Sequence, residues 1–421
     1  MLDYEKEIIE KIDQLEDDMI NYARKLVSFP TVSGNEIEAQ SYVKEVLSSL
    51  NFDHIDMWEP DINQLKSHEA FISERRDFKN SPNVVGTKKG FGGGRSLILN
   101  SHIDIVPEGD HEKWIYNPFG GEVNNGNIYG RGISDMKGSD APIFTVLRAF
   151  QEIGVKLKGD IIFESVIEEE TGGAGSLACA LRGYKADAAI IPEPSNFTIC
   201  PAQQGSTWYR ITIQGKAAHG GMRYLGESAI EKTPQIIKAI RSLETHINEK
   251  YYTNLYKGNP IPFCINIGKI NGGNWPSGVP DKVTIEGRMG VPPNLTLQEA
   301  WKLFEEWIKK ASKEDSWLKS NLPSVEWFGA YWGPAQIDIN HQIVNITRHC
   351  YEMVLNKEPV IAGTPWGTDA AMLTKYSDTP ALVFGPGATA HDADEYVSIN
   401  NLMKYSKILA LVILNWCGFQ K

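Results

Sequence analysis

Short, unbroken apolar runs alternate with stretches of helical periodicity along this chain, and few architectures accommodate both. Residues 96–100, 160–167, 186–191 and 381–384 are too short for buried helices and too continuous for strands with one wet face. They read as strands covered on both sides. Residues 137–153 and 175–183 read as helices lying between them. Buried strands separated by helices predict an α/β fold with a mostly parallel sheet, layered α/β/α. Ahead of them, Ile8, Ile12, Leu15, Met19, Ala23 and Leu26 recur at helical spacing and predict one long amphipathic helix. The turn Ser33-Gly34-Asn35-Glu36 then leads into a second helix ending near Leu50.

The middle of the chain has another rhythm. Residues 207–214 alternate like a half-exposed strand, 228–249 read as a helix, 263–270 and 283–289 as strands, and 297–312 as a helix. This order predicts an antiparallel α+β domain. It is placed at 207–330, inserted into an α/β domain formed by 1–206 and 331–421, and a chain of 421 residues agrees with two domains. Residues 57–80 are polar, irregular and long for a connection, which makes them functional or a surface ornament.

The chemistry collects where the strands end. The 96–100 run leads into His102 and Asp104, the 160–167 run into Glu168-Glu169-Glu170, and the 186–191 run into Glu193. The 381–384 run leads toward His391, and Asp135 sits in the glycine-rich stretch Gly130-Arg131-Gly132-Ile133-Ser134-Asp135-Met136-Lys137-Gly138. Open α/β sheets bind ligands at the carboxyl ends of their strands, so parallel strands bring these clusters to one edge. Two imidazoles and several carboxylates, with no thiolate, suit zinc, cobalt or manganese. A pair of ions needs a bridging ligand, which a carboxylate can be and an imidazole cannot. Taken singly, each cluster has a bland reading as a hydrogen-bonded strand end, a solvated acidic loop or an ordinary turn.

Taken in order, these phrases resemble the M20 di-zinc metallopeptidase and amidohydrolase family, which includes acetylornithine deacetylase, succinyl-diaminopimelate desuccinylase, aminoacylases and carboxypeptidases of the G type. The phrases are Ser101-His102-Ile103-Asp104, Asp135-Met136-Lys137-Gly138, Glu169-Glu170-Thr171-Gly172, Glu193-Pro194-Ser195, and Gly385-Pro386-Gly387 with His391 and Glu395. The resemblance implies two divalent ions, zinc first, with His102 and Glu193 on one, Glu170 and His391 on the other, and Asp135 between them. It implies Asp104 as the group that orients His102, and Glu169 as general base for water activated between the ions.

In the inserted domain, Gly215-Lys216-Ala217-Ala218-His219-Gly220 resembles the family's lid segment. That implies His219 as a transition-state donor acting in a homodimer, and Arg288 and Asn271 as substrate-binding residues; Gly367-Thr368-Asp369 resembles another pocket segment. The implied reaction removes a small N-acyl group (acetyl, formyl or succinyl) from an amino acid or related amine by cutting a linear amide. A dipeptidase or carboxypeptidase is the alternative within the family, and a non-catalytic metal-binding homologue the alternative outside it. Two departures stand out: Glu168 where many relatives have Asp, and the long 57–80 segment. The segment resembles a bacterial subgroup that includes acetylornithine-deacetylase-like proteins and a formylaminopyrimidine deformylase of thiamine salvage.

Net charge −11, from 42 basic and 53 acidic side chains, disfavours a nucleic-acid partner. Gly90, Gly92, Gly93 and Gly94 precede a strand, whereas a dinucleotide fingerprint must follow one. Five scattered cysteines without a C-x-x-C pair are expected to be reduced thiols. The first residues lack a signal-peptide pattern and the apolar run 408–414 is too short to span a bilayer, so a cytoplasmic protein without a membrane partner is expected.

Overall fold

A computed structural model of the chain describes residues 2–388 and 390–420. It divides into two compact units: residues up to Ala202 with Ile337–Ala362 and the chain from Thr368 onward, and Gln203–Gln336 with Gly363–Gly367.

The sheet of the larger unit runs His54–Trp58, Asn83–Lys88, Ile161–Val166, Leu97–His102, Ala188–Ile191, Ala381–Val383, Ile199–Gln203. The four strands expected from their apolar runs are its parallel centre. The flanking pairs are antiparallel. These flanking strands escape a sequence reading: His54–Trp58 is polar and half-exposed, and Ile199–Gln203 carries Pro201, so neither shows a continuous apolar run. Successive side chains of a strand point to opposite faces. Phe163 meets Phe144 of the Gly138–Glu152 helix, with ring centroids 5.4 Å apart. Its neighbour Glu164 and the paired Asn100 face the other way, where Asn100 Nδ2 donates to Ser176 of the Ala174–Arg182 helix at 2.9 Å. Helices therefore cover both faces, the α/β/α layering that the runs predict.

The single long N-terminal helix is a correction: the structure has two, Asp3–Gln14 and Glu16–Val27. Leu15 between them leaves helical geometry (φ −100°, ψ 14°) and its N–H donates to Ile12 O. The apolar spacing runs on across the break, and all six stripe residues are buried. Periodicity reports which side chains face the core, not whether the backbone is continuous. The 408–414 run lies within the buried helix Ile399–Cys417. Among the described residues no helix is long and apolar enough to cross a membrane.

The smaller unit has an antiparallel sheet ordered Ile265–Gly272, Lys282–Val291, Gly205–Gln214, Ser324–Trp332. Tyr209, Ile211 and Ile213 alternate inward and are fully buried, while Trp208 stays exposed. The helices Ala229–Lys250 and Leu297–Ser312 belong to this unit and pack on each other. Ser228 and Thr296 cap their N-termini by accepting from the N–H groups of Glu231 and Glu299.

Candidate metal centre

His102 closes its strand, and the neighbouring parallel strands release Glu168-Glu169-Glu170 and Glu193 at the same edge of the sheet. Strand direction and register make residues nearly a hundred positions apart into neighbours. The His102 Nδ1 proton goes to the carbonyl oxygen of Asp104, 2.9 Å away, which leaves Nε2 as the ring's lone pair. The Asp104 carboxylate is 3.6 Å from Nδ1. Its two oxygens instead accept the backbone N–H groups of Glu169 and Glu170, each at 3.2 Å, and so tie the acidic turn to the His102 strand.

Asp135 is delivered by a distorted turn. Gly132 has φ +79°, and a Cβ there would lie 2.5 Å from Ile105 Cγ2, so no other residue fits. Met136 adopts φ +126°, a conformation that a side-chain-bearing residue keeps only when its surroundings over-determine it. Glu395 does much of that work. Its Oε1 accepts from Ser134 N (2.9 Å) and Asp135 N (3.1 Å), and its Oε2 from Gly132 N (3.1 Å) and Arg131 Nη1 (2.7 Å). Burial, and then the charge of Asp135, push the Glu395 pKa up, against four donors, one of them cationic, that favour its ionised form.

The result is a pair of ligand sets with one member in common. His102, Asp135 and Glu193 offer one atom each within 4.8 Å of one another, and so do Asp135, Glu170 and His391. Asp135 Oδ1 lies 3.4 Å from His102 Nε2, and Oδ2 lies 3.0 Å from His391 Nε2. Glu170 Oε1 is 3.2 Å from the same His391 nitrogen. Glu169 is buried and near enough to Glu193, His102 and Glu170 to be shifted by their charge. His219 lies on the smaller unit, exposed, in a two-residue strand paired with Gly278–Val279, and its Nδ1 accepts from Gly221 N at 3.1 Å. Arg288 and Asn271 sit on adjacent strands of that unit's sheet but not at facing positions: Arg288 opposes Asn266, and Asn271 opposes Thr284. Arg288 Nη2 donates to Pro365 O at 3.2 Å.

The electrostatics of these groups are those of crowded, buried carboxylates. Burial first, and then the charge of Asp135 on Glu193 and of Glu193 on Glu169, hold both carboxyls well above the usual carboxylate range. Burial also works against Asp135, yet His102 and His391 outweigh it and hold that carboxyl below its usual value. His391, bonded to Asp135 and Glu170, is pushed up to about 10. Among the described residues, His102 Nε2 is buried without a hydrogen-bond partner. A buried imidazole nitrogen without a hydrogen-bond partner, set among buried carboxylates, is what a divalent ion satisfies, and this donor set fits one.

Behind the centre lies a buried chain that the strand-end reading misses. Asn100 Nδ2 donates to Glu164 Oε2 (2.9 Å) as well as to Ser176, and Ser176 Oγ donates to Asp369 Oδ2 (2.7 Å). Burial raises Glu164 to about 7 and Asp369 to about 6. Asn100 and Glu164 are the signal available in sequence, each a polar residue inside an apolar run.

The chain from 98 to 415 matches the model of peptidase family M20/M25/M40. It is 30% identical to the N-formyl-4-amino-5-aminomethyl-2-methylpyrimidine deformylase of Halalkalibacterium halodurans, over 99% of this chain and 98% of that one. It is 26% identical to a probable succinyl-diaminopimelate desuccinylase of Staphylococcus epidermidis, over 93% and 95% of the two chains. The dipeptidase Dug1p of Saccharomyces cerevisiae shares the fold, with a TM-score of 0.73 at 16% identity over 99% of both chains. The protein is therefore a member of peptidase family M20/M25/M40, a family of metal-dependent hydrolases.

Proposed function

We propose that this chain is an amidohydrolase that removes a small N-acyl group, formyl foremost, from an amine, using two divalent ions, zinc before cobalt or manganese. The observation that carries this reading is Asp135, whose two carboxylate oxygens address two different histidines. His102 and Glu193 would complete one ion's ligands, and Glu170 and His391 the other's. Bound ions at such a centre acidify a water molecule and polarise the amide carbonyl. Glu169, beside both ligand sets, takes the water's proton and returns one to the leaving amine, so a carboxylate and a free amine result. Asp104, by holding the Glu169 and Glu170 N–H groups, keeps base and ligand in fixed relation. From the family resemblance we assign His219 to the oxyanion, acting from a partner copy in a homodimer, and Arg288 and Asn271 to the substrate. The five free cysteines support a reducing cytoplasm as its setting.

The substrate reading leans on the deformylase, which is similar to this chain from end to end. The likeness to solved peptidases is one of fold. The test is to strip the metals, restore zinc or cobalt, and measure primary-amine release. The panel holds a formylaminopyrimidine, N-formyl, N-acetyl and N-succinyl amino acids, and dipeptides. Metal-dependent release from the formylated members is expected. Release from dipeptides alone would make the protein a peptidase. No release from any member, with ions bound, would revive the non-catalytic reading.

A further inference from the structure

The acidic triplet contains one carboxylate, Glu168, that belongs to neither ligand set and has no part in the proton transfer assigned to Glu169. Glu168 is 1% exposed and adopts φ +62°, the left-handed region that residues with side chains occupy only under constraint. Its carboxylate is saturated. Oε1 accepts from Ser33 Oγ and from Arg75 Nη1 (3.2 Å), and Oε2 accepts from Ser73 Oγ (2.9 Å) and Thr171 Oγ1 (2.7 Å).

Arg75 is itself fixed. Its Nη2 donates to Ser81 Oγ (2.9 Å), which donates to Glu36 Oε2 (2.6 Å), and its guanidinium lies over the Phe78 ring, 5.0 Å from the centroid. Ile72 closes the contact from above: a Cβ at Gly172 would sit 2.3 Å from Ile72 Cδ1. Ile72, Ser73 and Arg75 all belong to the long 57–80 segment. The two departures from the family pattern, Glu168 and that segment, thus meet in one cluster.

We infer that Ser73 and Arg75 are positioning residues that set the metal centre through Glu168. By holding Glu168 left-handed they fix the direction in which Glu169 and Glu170 leave the strand, Glu170 toward His391 and Glu169 into the buried cluster. The 57–80 segment is then a brace for the acidic turn and not an ornament. This inference rests on the metal reading proposed above.

The test uses the full chain and measures zinc affinity by chelator competition, the absorption spectrum of the cobalt form, and kcat against KM. Arg75→Met is expected to weaken binding of one ion tenfold to a hundredfold, to alter the cobalt spectrum, and to lower kcat with KM unchanged. Arg75→Lys, which restores a cation, should recover part of each loss. Glu168→Asp keeps the charge but withdraws it from Ser73 and Arg75, and should act like Arg75→Met even if that variant folds poorly. Variants that match the wild type in zinc affinity and cobalt spectrum, whatever their thermal stability, would overturn this inference alone. A wild type that binds no zinc would overturn the metal reading and this inference with it.

Discussion

Replacing Glu395 by Gln probes how the Asp135 turn is held in its unfavourable shape. The wild-type carboxylate accepts two donors on each oxygen. An amide has one oxygen, so its NH2 group must face either the N–H groups of Ser134 and Asp135 or those of Gly132 and Arg131. Arg131 is 2% exposed and loses its counter-ion in either orientation. Removing one partner of a buried ion pair costs about 3–5 kcal/mol. The carbonyls of Asp392 and His391, which already accept from Arg131, place the cost at the lower end, about 3 kcal/mol. At roughly 2 °C per kcal/mol for a unit of this size, Tm falls by roughly 6 °C. The assay is calorimetric unfolding of the metal-free protein, because bound ions stabilise the native state by mass action and would mask the difference. Glu395→Gln with an unchanged Tm would refute the view that Glu395 maintains the turn.

Three further outcomes follow from the same geometry. Glu169→Gln should lower kcat by about 10²–10⁴-fold while both ions stay bound, read by metal analysis beside steady-state rates; unchanged turnover would remove Glu169 from proton transfer. Asp135→Asn should weaken both ion sites together, since one residue serves both, and loss of only one ion per chain would show that the sites do not share it. Glu164 is buried and raised to about 7 in the folded state, so its contribution to stability is full below the unfolded pKa near 4.3 and is lost as pH rises through about 7. Glu164→Gln should therefore gain about 3 kcal/mol relative to wild type between pH 4.5 and pH 7.5, measured by urea unfolding at each pH, and a pH-independent difference would count against the raised value.

The sequence by itself determined the elements whose signal is local. The runs near 97–102, 161–166, 188–191 and 381–383 are apolar because both faces of those strands are covered, and that requirement is written residue by residue. Their polar endings named residues that the fold brings within reach of one another. What pattern could not encode is which ends meet, because strand order and register arise only from pairing across long separations. Tertiary structure decided that Asp135 faces both His102 and His391, and that the ring proton of His102 goes to a carbonyl, not to a carboxylate. It also joined Arg75 to Glu168, a pair 93 positions apart in the chain. The physical reason is the same throughout: burial leaves a periodic trace in sequence, whereas a hydrogen bond between distant side chains is fixed by a fold the periodicity only permits.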